Sequence, residues 1–433
     1  MKATSTSLGC VIAVAFGLST GNGVDAQQAP IKVGVVLPLT GNPAVSGTTN
    51  QAGMKLYLDS IGNVVDGHPL DVIFADDQGG AADVGLTKAR QLVESDQVQV
   101  LMGGVTSAVC YAIAPYVKQA HIPMLVTGNC AAQGLTIDPK YASPYIIRLT
   151  HNSSSVAGPT ADWAYKAGLR KGILFTSDFS AGIEISDLFA SAFIGRGGEI
   201  VQEIHPPRGT NDFGPFFSQL EPSADFMAVM LSGGELSFVE QFSNYVRTHK
   251  LKVIDFYGQA TNGEFLPQHG SKAIGIVAVN PYTPSLATKE NEVFLKAWAA
   301  KYPARVPTLE AALGYSAAEV LVGALHKVKG DLGGDAKQKA FLEAIYQTDV
   351  MTPRGPIKLD ANHDIVQNMY IYEVVANPAG PVPTTKVIAT YSNVSQHWDR
   401  TPQQLSSFGY GKLKGTWVGQ TKDKLGTVIT PPN

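Results

Sequence analysis

Short apolar runs recur along the chain in two series, and each run is followed by a stretch with a longer period. The runs of the first series fall at residues 31–37, 72–74, 98–102, 122–126 and 145–149, and those of the second at residues 172–176, 200–204, 227–231 and 253–257. Between runs, apolar residues recur at i, i+3, i+4 and i+7, as they do from Met54 to Ile61. The pattern predicts strands that alternate with helices.

Alternation of this kind is typical of parallel sheets whose two faces are covered by helices. Two such series predict an α/β chain with two doubly wound lobes. Residues 352–375 break the alternation, because two strand-like runs are joined there by a polar turn with no helix between them. Beyond about residue 395 neither period persists, so for residues 396–433 we expect a C-terminal tail that packs loosely on the surface or is disordered.

Length and charge narrow the class of protein. A chain of 433 residues is long enough for two domains rather than one core. It carries 33 basic and 36 acidic residues, a formal net charge of −3, and no basic stripe, which argues against nucleic acid as a partner. With 44% hydrophobic and 16% charged residues, the composition is that of a globular protein.

The N-terminus has the features of a secretory signal peptide, which we expect to cover residues 1–26. Lys2 supplies a positive charge, residues 8–18 form an apolar stretch too short to span a membrane, and small residues precede a cleavage point after Ala26. A buried N-terminal helix is the alternative. No second long apolar segment follows in the sequence, so we expect an exported protein.

Removal of the signal peptide would leave two of the three cysteines, Cys110 and Cys130. An even number of cysteines in an oxidising compartment predicts a disulfide bond. In the chain-entropy description, closing a loop of this size stabilises the folded state by roughly 3 kcal/mol. Two separate buried thiols are the alternative.

The sequence carries no strong motif of catalysis. It has no Gly-x-Ser-x-Gly elbow and no Walker A loop, and its nine histidines show no metal-binding spacing. The acidic pair Asp76 and Asp77 closes a strand just before a helix, where carboxylates commonly accept hydrogen bonds from backbone N–H groups. The sequence therefore predicts neither an enzyme nor a metal or cofactor site.

Loops at the ends of strands carry better signals of binding. Thr106 and Ser107 follow an apolar run and open a helix, so free N–H groups and two hydroxyls are available to hold an anion such as a carboxylate. Thr127, Gly128 and Asn129 end the next run in the same way. Helix capping is the simpler role for any one of them. The carboxyl ends of adjacent parallel strands, however, meet at one edge of the sheet, where such sheets bind ligands.

Several stretches, taken in order, resemble one known family. They are IKVGVVLPLTG, VIFADDQGGAADVGLTKARQLV, QVLMGGVTSAVC, IPMLVTGNC, GILFTSDFSAG, TNDFGPFFSQL and TPRGPIKLDANHDIVQNMYIYEV. Together they resemble the periplasmic solute-binding proteins of branched-chain amino acid ABC transporters, the leucine/isoleucine/valine-binding type. The resemblance implies a type I periplasmic-binding-protein fold, in which two lobes are joined by three crossings and the ligand is held between them.

The resemblance also implies a domain division and a set of partners. Lobe 1 would comprise residues 27–148 and 282–353, and lobe 2 residues 149–281 and 354–395, with hinges near residues 148–152, 278–284 and 352–356. The partners would be a small organic acid or amino acid and the permease subunits of an ABC transporter in the membrane. We expect a monomer located in the periplasm.

The same resemblance implies which residues touch the ligand. Thr106 and Ser107 match the loop that holds the ligand carboxylate, and Asn129 belongs to the loop beside it. Ser46 falls at the end of the first strand's loop, where leucine-binding members carry a bulky aromatic residue. In lobe 2 the matching cleft residues are Phe179, Ala181, Gly234, Glu235, Gln259 and Ala260, and Tyr282 follows a crossing between the lobes.

Departures from the family pattern bear on the ligand. Amino-acid binders carry an acidic residue in the loop that here contains Gln259, and that residue pairs with the ligand's ammonium group. A buried ammonium without such a partner costs several kcal/mol. Ser46 and Ala181 replace larger side chains, which enlarges the pocket. The sequence therefore favours an aromatic or other apolar organic acid without an α-ammonium group. Glu235 could still supply a carboxylate for an ammonium group, so an amino acid remains the alternative ligand. A ligand sensor and an enzyme are the rival functions, and the sequence disfavours both.

Overall fold

A computed structural model describes residues 28–246, 249–407 and 413–425, together with Met1. Apart from Met1, the predicted signal peptide lies outside the described residues. Within the described residues, no helix is both long and apolar enough to cross a membrane.

The strands and helices follow the predicted alternation. The strands are β1 (Ile31–Leu37), β2 (Val64–Val65), β3 (His68–Asp76), β4 (Val100–Gly103), β5 (Met124–Val126), β6 (Ile146–Arg148), β7 (Lys171–Thr176), β8 (Glu199–Ile204), β9 (Phe226–Met230), β10 (Lys252–Phe256), β11 (Val277–Asn280), β12 (Asp349–Thr352), β13 (Gly355–Leu359), β14 (Ile365–Val375) and β15 (Thr384–Val394). The α-helices are α1 (Ala44–Ser60), α2 (Ala82–Arg90), α3 (Ser107–Ala120), α4 (Ser153–Lys166), α5 (Ser180–Gly195), α6 (Gly214–Phe217), α7 (Glu235–Val246), α8 (Leu266–His269), α9 (Lys289–Lys301), α10 (Leu309–Lys327), α11 (Asp335–Tyr346) and α12 (Pro402–Ser407).

The first sheet has six strands in the order β2-β3-β1-β4-β5-β6, all parallel except β2. Its central strands are largely apolar, as expected where helices cover both faces of a sheet, and Val33 and Val35 of β1 are fully buried. On one face α10 crosses α1 at close range. A Cβ atom on Gly314 would lie 2.1 Å from the carbonyl oxygen of Asn50, so only glycine permits this approach.

The second sheet has nine strands. Strands β8-β7-β9-β10-β11 run parallel, and β14 joins β11 in the antiparallel sense, with β13 and β15 paired to β14 and β12 paired to β13. The hairpin predicted within residues 352–375 is present as β13 and β14. The two parallel-dominated sheets confirm the predicted α/β fold class.

The chain passes between the two sheets after β6, after β11 and between α11 and β12. At the first crossing, Arg148 Nε donates to Asp364 Oδ2 at 2.9 Å, and both side chains are fully buried. Asn152 then caps α4 in a reciprocal pair of hydrogen bonds with Ser155. The lobe boundaries remain a prediction, since β12 and β13 pair with the second sheet while Ile357 packs into the core of the first.

The expectation of a loosely packed tail is wrong for the described part of residues 396–433. Leu405 is fully buried and Trp417 is 3% exposed, and both pack in the core of the second lobe with Phe189. The indole Nε1 of Trp417 donates to Asp187 Oδ1 at 2.7 Å. Periodicity missed this segment because it contributes single anchoring side chains, not a helix face or a strand.

The predicted disulfide is present between Cys110 and Cys130, whose Cα atoms are 6.7 Å apart. Cys110 lies in the first turn of α3 and Cys130 follows the loop after β5. The bond therefore ties together two loops that leave the carboxyl edge of the first sheet.

Candidate functional site

A cleft, here called the interlobe cleft, lies between the carboxyl ends of the parallel strands of the two sheets. The first lobe contributes Asn42, Pro43, Val45, Ser46, Val105, Thr106, Ser107 and Asn129. The second lobe contributes Phe179, Ala181, Arg208, Met230, Leu231, Ser232, Gly233, Glu235, Gln259, Asn262 and Phe265. The lining therefore comes from the loops and helix starts that follow strands, which is where parallel sheets bind ligands.

Eight of the predicted ligand-binding residues line this cleft. They are Ser46, Thr106, Ser107, Asn129, Phe179, Ala181, Glu235 and Gln259. Their predicted contacts with a ligand remain predictions, but the fold brings them to one surface from six segments of the chain.

Five predicted residues do not line the cleft. Thr127, Gly128, Gly234 and Ala260 lie next to lining residues in the chain but behind the surface. Tyr282 lies farther away, because its ring is 1% exposed and packs against Phe294, while its hydroxyl donates to Asn291 Oδ1 at 3.1 Å. It borders a second cavity that shares Asn262 with the cleft. The role proposed for Tyr282 as a cover for the ligand is therefore not supported by its position.

The start of α3 opens into the cleft without a side-chain cap. Thr106 is the N-cap residue, but its side chain accepts no hydrogen bond from the helix; its Oγ1 instead donates to the carbonyl oxygen of Gly80 at 3.4 Å. Ser107 is 7% exposed, and its hydroxyl has no hydrogen-bond partner among the described residues. Uncapped N–H groups and a free buried hydroxyl form a site suited to an anion.

Ser46 lies in the first turn of α1, which begins at Ala44, and not at the end of a loop as expected. The loop after β1 is shorter than predicted because Thr40 and its neighbours are held by Asp76, whose Oδ1 accepts from Leu39 N at 2.8 Å and whose Oδ2 accepts from Thr40 Oγ1 at 2.6 Å. The small side chain of Ser46 still faces the cleft.

The second lobe provides an apolar wall. Phe179 precedes α5, and Met230, Leu231 and Phe265 line the cleft beside it. The guanidinium carbon of Arg208 lies 5.1 Å from the centre of the Phe179 ring, within the range of a cation–π contact. This wall suits a flat apolar body better than a strongly polar one.

Arg208 is a cleft residue that the sequence analysis missed. It lies on the segment after β8, and its Nε donates to Ser232 Oγ at 3.1 Å. The available signal was an arginine and a glycine four and five residues after the end of β8, but no helix start or capping pattern marks that loop as a binding loop.

Glu310 was also missed, although it joins amide groups from both lobes. It is 2% exposed, and its Oε1 accepts from Asn129 Nδ2 at 2.6 Å while its Oε2 lies 3.5 Å from Asn262 Nδ2. Thr308 Oγ1 donates to the same Oε2 at 2.6 Å. An acidic residue in the first turn of a helix is so common that sequence alone gives Glu310 no special role.

Two buried carboxyl groups lie beneath the cleft loops. Burial raises the pKa of Asp77 to about 6, although its Oδ1 accepts from Gly80 N at 2.7 Å. Burial likewise raises the pKa of Asp255 to about 7, against the hydrogen bonds that its Oδ2 accepts from Thr261 N and Oγ1 at 2.9 and 3.0 Å. Both carboxyls serve their own loops, and neither lines the cleft.

Residues that could hold a metal ion are not grouped in the part of the chain that the structure describes: it contains no cluster of three or more His, Cys, Asp or Glu side chains suited to one.

Comparison with known proteins gives consistent matches over most of the chain. The sequence profile of a family described as periplasmic binding protein matches residues 30–380. A curated relative, the Leu/Ile/Val-binding protein homolog 6 of Brucella abortus (strain 2308), is 28% identical over 352 residues, which is 79% of this chain and 87% of that protein.

Two solved structures are similar over nearly their whole length. An ABC transporter substrate-binding protein from Sphaerobacter thermophilus has a TM-score of 0.79 and 30% identity, covering 85% of this chain and 99% of that one. A solute-binding protein of an ABC transporter from Rhodopseudomonas palustris BisB5, in complex with 3,4-dihydroxybenzoic acid, has a TM-score of 0.77 and 29% identity, with coverages of 85% and 99%.

Proposed function

This chain belongs to the periplasmic binding protein family, and from that premise we propose that it is the exported solute-binding component of an ABC importer. Its ligand is an aromatic carboxylate without an α-ammonium group, bound in the interlobe cleft and passed on, unaltered, to the membrane permease. The periplasm is the compartment in which such a protein meets both ligand and permease.

The observation that carries this proposal is the pairing of an anion site with an apolar wall across one cleft. The uncapped start of α3, with the free hydroxyl of Ser107, suits a carboxylate. Phe179 and Phe265 on the opposite lobe suit an aromatic ring. The solved protein from Rhodopseudomonas palustris BisB5, which binds 3,4-dihydroxybenzoic acid, supports the same ligand class.

Gln259 lines the cleft where an amino-acid binder would need a carboxylate. A glutamine side chain is neutral, so it leaves an α-ammonium group without a charged partner, and burial of that group would be costly. This position therefore favours an acid that carries no ammonium group.

A branched-chain amino acid is the second candidate ligand, and Glu235 is the observation that favours it. Glu235 lines the cleft and has a carboxylate available for an ammonium group, although its Oε1 already accepts from Gly233 N at 2.8 Å. The relative from Brucella abortus is named as a Leu/Ile/Val-binding protein homolog.

A thermal-shift and calorimetric panel tests the proposal. Benzoate, 4-hydroxybenzoate and 3,4-dihydroxybenzoate should raise Tm in a concentration-dependent way, because a ligand bound only by the native state stabilises it, by about 2.7 kcal/mol at a hundred times Kd. Leucine, isoleucine and valine at the same concentrations should leave Tm unchanged. A Tm rise with leucine but with no aromatic acid would replace the first candidate by the second. Recovery of the bound acid chemically unaltered would separate binding from turnover.

A further inference from the structure

The cleft offers anion-attracting groups at two separate places. One is the start of α3 with the free, buried hydroxyl of Ser107, and the other is the guanidinium group of Arg208. The strand that leads to Ser107, β4, is an interior strand of the first sheet, whereas the strand before Arg208, β8, is the last strand of the second. The two groups therefore come from opposite lobes of the cleft.

Arg208 lies at the solvent-exposed mouth of the cleft, because it is exposed whereas Ser107 is buried. A Cβ atom on Gly233 would lie 2.8 Å from Asn42 Nδ2 and 3.1 Å from the Cα atom of Gly209, the neighbour of Arg208. Asn42 belongs to the first lobe, so the two lobes meet here, beside Arg208. Asn42 follows β1, whereas Ser107 follows β4, the next strand of the first sheet.

The charge of Arg208 is not neutralised within the protein. Its Nε donates to Ser232 Oγ at 3.1 Å, and its guanidinium lies over the Phe179 ring, but no carboxylate lies within ion-pair distance of it among the described residues. Stacking on a ring and one hydrogen bond orient the guanidinium while leaving its terminal nitrogens available.

Glu235, the acidic residue in the lining, does not cancel this charge. Its Oε1 accepts from Gly233 N at 2.8 Å, and Glu235 is the first residue of α7. The positive end of a helix favours a carboxylate at that place, so the charge of Glu235 is balanced locally.

We propose that the ligand is an aromatic dicarboxylate. One carboxylate binds at Ser107 and the start of α3, the ring lies against Phe179, and the second carboxylate pairs with Arg208 at the mouth of the cleft. This inference rests on the proposed function and narrows its ligand class from aromatic acids to aromatic diacids.

Calorimetry with three matched ligands tests the inference: benzoate, benzene-1,4-dicarboxylate and the monomethyl ester of that diacid. The wild-type protein should bind the diacid about tenfold more tightly than the monoester, because only the diacid makes a charge-assisted contact with Arg208. Arg208→Gln should abolish that difference, and it should weaken the diacid by a larger factor than it weakens benzoate. Raising the salt concentration should weaken the diacid more than the monoester, because the Arg208 pair is near solvent.

Arg90→Gln is the matched control. Arg90 is also exposed and also lies over an aromatic ring, 5.5 Å from the centre of Tyr116, but it is on α2 outside the cleft. The Arg90→Gln variant should bind all three ligands as the wild type does. Equal affinity for diacid and monoester in the wild type would overturn the inference and leave the proposed function standing. A loss of benzoate binding in Arg208→Gln equal to the loss of diacid binding would also overturn it, because the single carboxylate would then lie on Arg208. Failure of every aromatic acid to bind would instead reject the proposed function.

Discussion

Ser107 combines two properties that a carboxylate site requires. Its hydroxyl is nearly buried and has no partner among the described residues, and it stands at the start of a helix whose first N–H groups are uncapped. The disulfide from Cys110 to Cys130 holds this helix start beside the loop that carries Asn129. If this helix start binds the ligand carboxylate, as proposed, it needs little rearrangement, which reduces the ordering cost of binding.

Ser107→Ala should weaken the binding of an aromatic acid by about ten- to a hundredfold, because it removes a hydrogen bond to a charged group worth about 1.5–3 kcal/mol. Isothermal titration with 3,4-dihydroxybenzoate measures the change. Ser223→Ala, on a surface turn away from the cleft, is the control and should bind as the wild type does. Unchanged affinity in Ser107→Ala would show that the hydroxyl only belongs to the helix start.

The cleft residues that sequence predicts lie in recognisable local patterns, whereas those it missed are brought to the site only by the fold. Thr106 and Ser107 were predictable because a strand that gives way to a helix start has a recognisable pattern. Arg208 follows a strand but precedes no regular helix start, and Glu310 reaches Asn129 through folding alone, from α10 far along the chain. Tyr282 was placed by resemblance, but its burial against Phe294 depends on packing that no local pattern encodes.

At the scale of elements, the segment after β15 is the part of the fold that differs most from expectation. It lies beyond the residues that the family profile matches, which end at residue 380. Arg400 of this segment donates to the carbonyl oxygen of Leu188 on α5 at 2.7 Å, and the backbone N–H groups of Gly415 and Trp417 donate to Glu203 of β8 at 2.8 and 2.7 Å. The segment therefore contacts both α5, which Phe179 precedes, and β8, which the loop with Arg208 follows.

Trp417→Ala should lower the free energy of unfolding by about 3–5 kcal/mol, the usual cost of truncating a buried tryptophan. Lys414→Ala, three residues away, removes an ion pair with Asp178 in which both side chains are over 40% exposed, and should cost less than about 1 kcal/mol. Urea denaturation of both variants measures the difference. A loosely packed segment would give two equally small effects, which would contradict the buried position of Trp417.

Periodicity predicted the strands and helices of the two wound units because each buries one regular face. It predicted the β13–β14 hairpin from the absence of a helix between two strand-like runs. It could not predict the packing after β15, because Leu405 and Trp417 are buried at positions that follow neither the helical nor the strand period. Such anchors are identified only when the surface that receives them, here the core around Phe189, has been built.

For the whole molecule, the contact between Asn42 and the Gly209–Gly233 region shows how the two lobes meet over the cleft. This contact would separate if the two lobes moved apart, and three chain crossings permit a hinge motion of that kind. Glu310 adds a link behind the cleft, because it accepts a hydrogen bond from Asn129 and lies near Asn262 of the second lobe. If the contact of Asn42 with Gly233 opens while Glu310 keeps its contacts, the two lobes would move apart as a hinge does.

The radius of gyration from small-angle scattering should therefore decrease when an aromatic acid saturates the protein. Asn42→Trp should reduce that decrease and weaken binding, because a bulky side chain at the lobe contact costs about 1–3 kcal/mol when it is forced into a packed space. Asn42→Ala creates no such obstacle and should close as the wild type does. An unchanged radius of gyration in the saturated wild type would contradict hinge closure. A full decrease in Asn42→Trp would show that the lobes close along a path that does not bring Asn42 to Gly233.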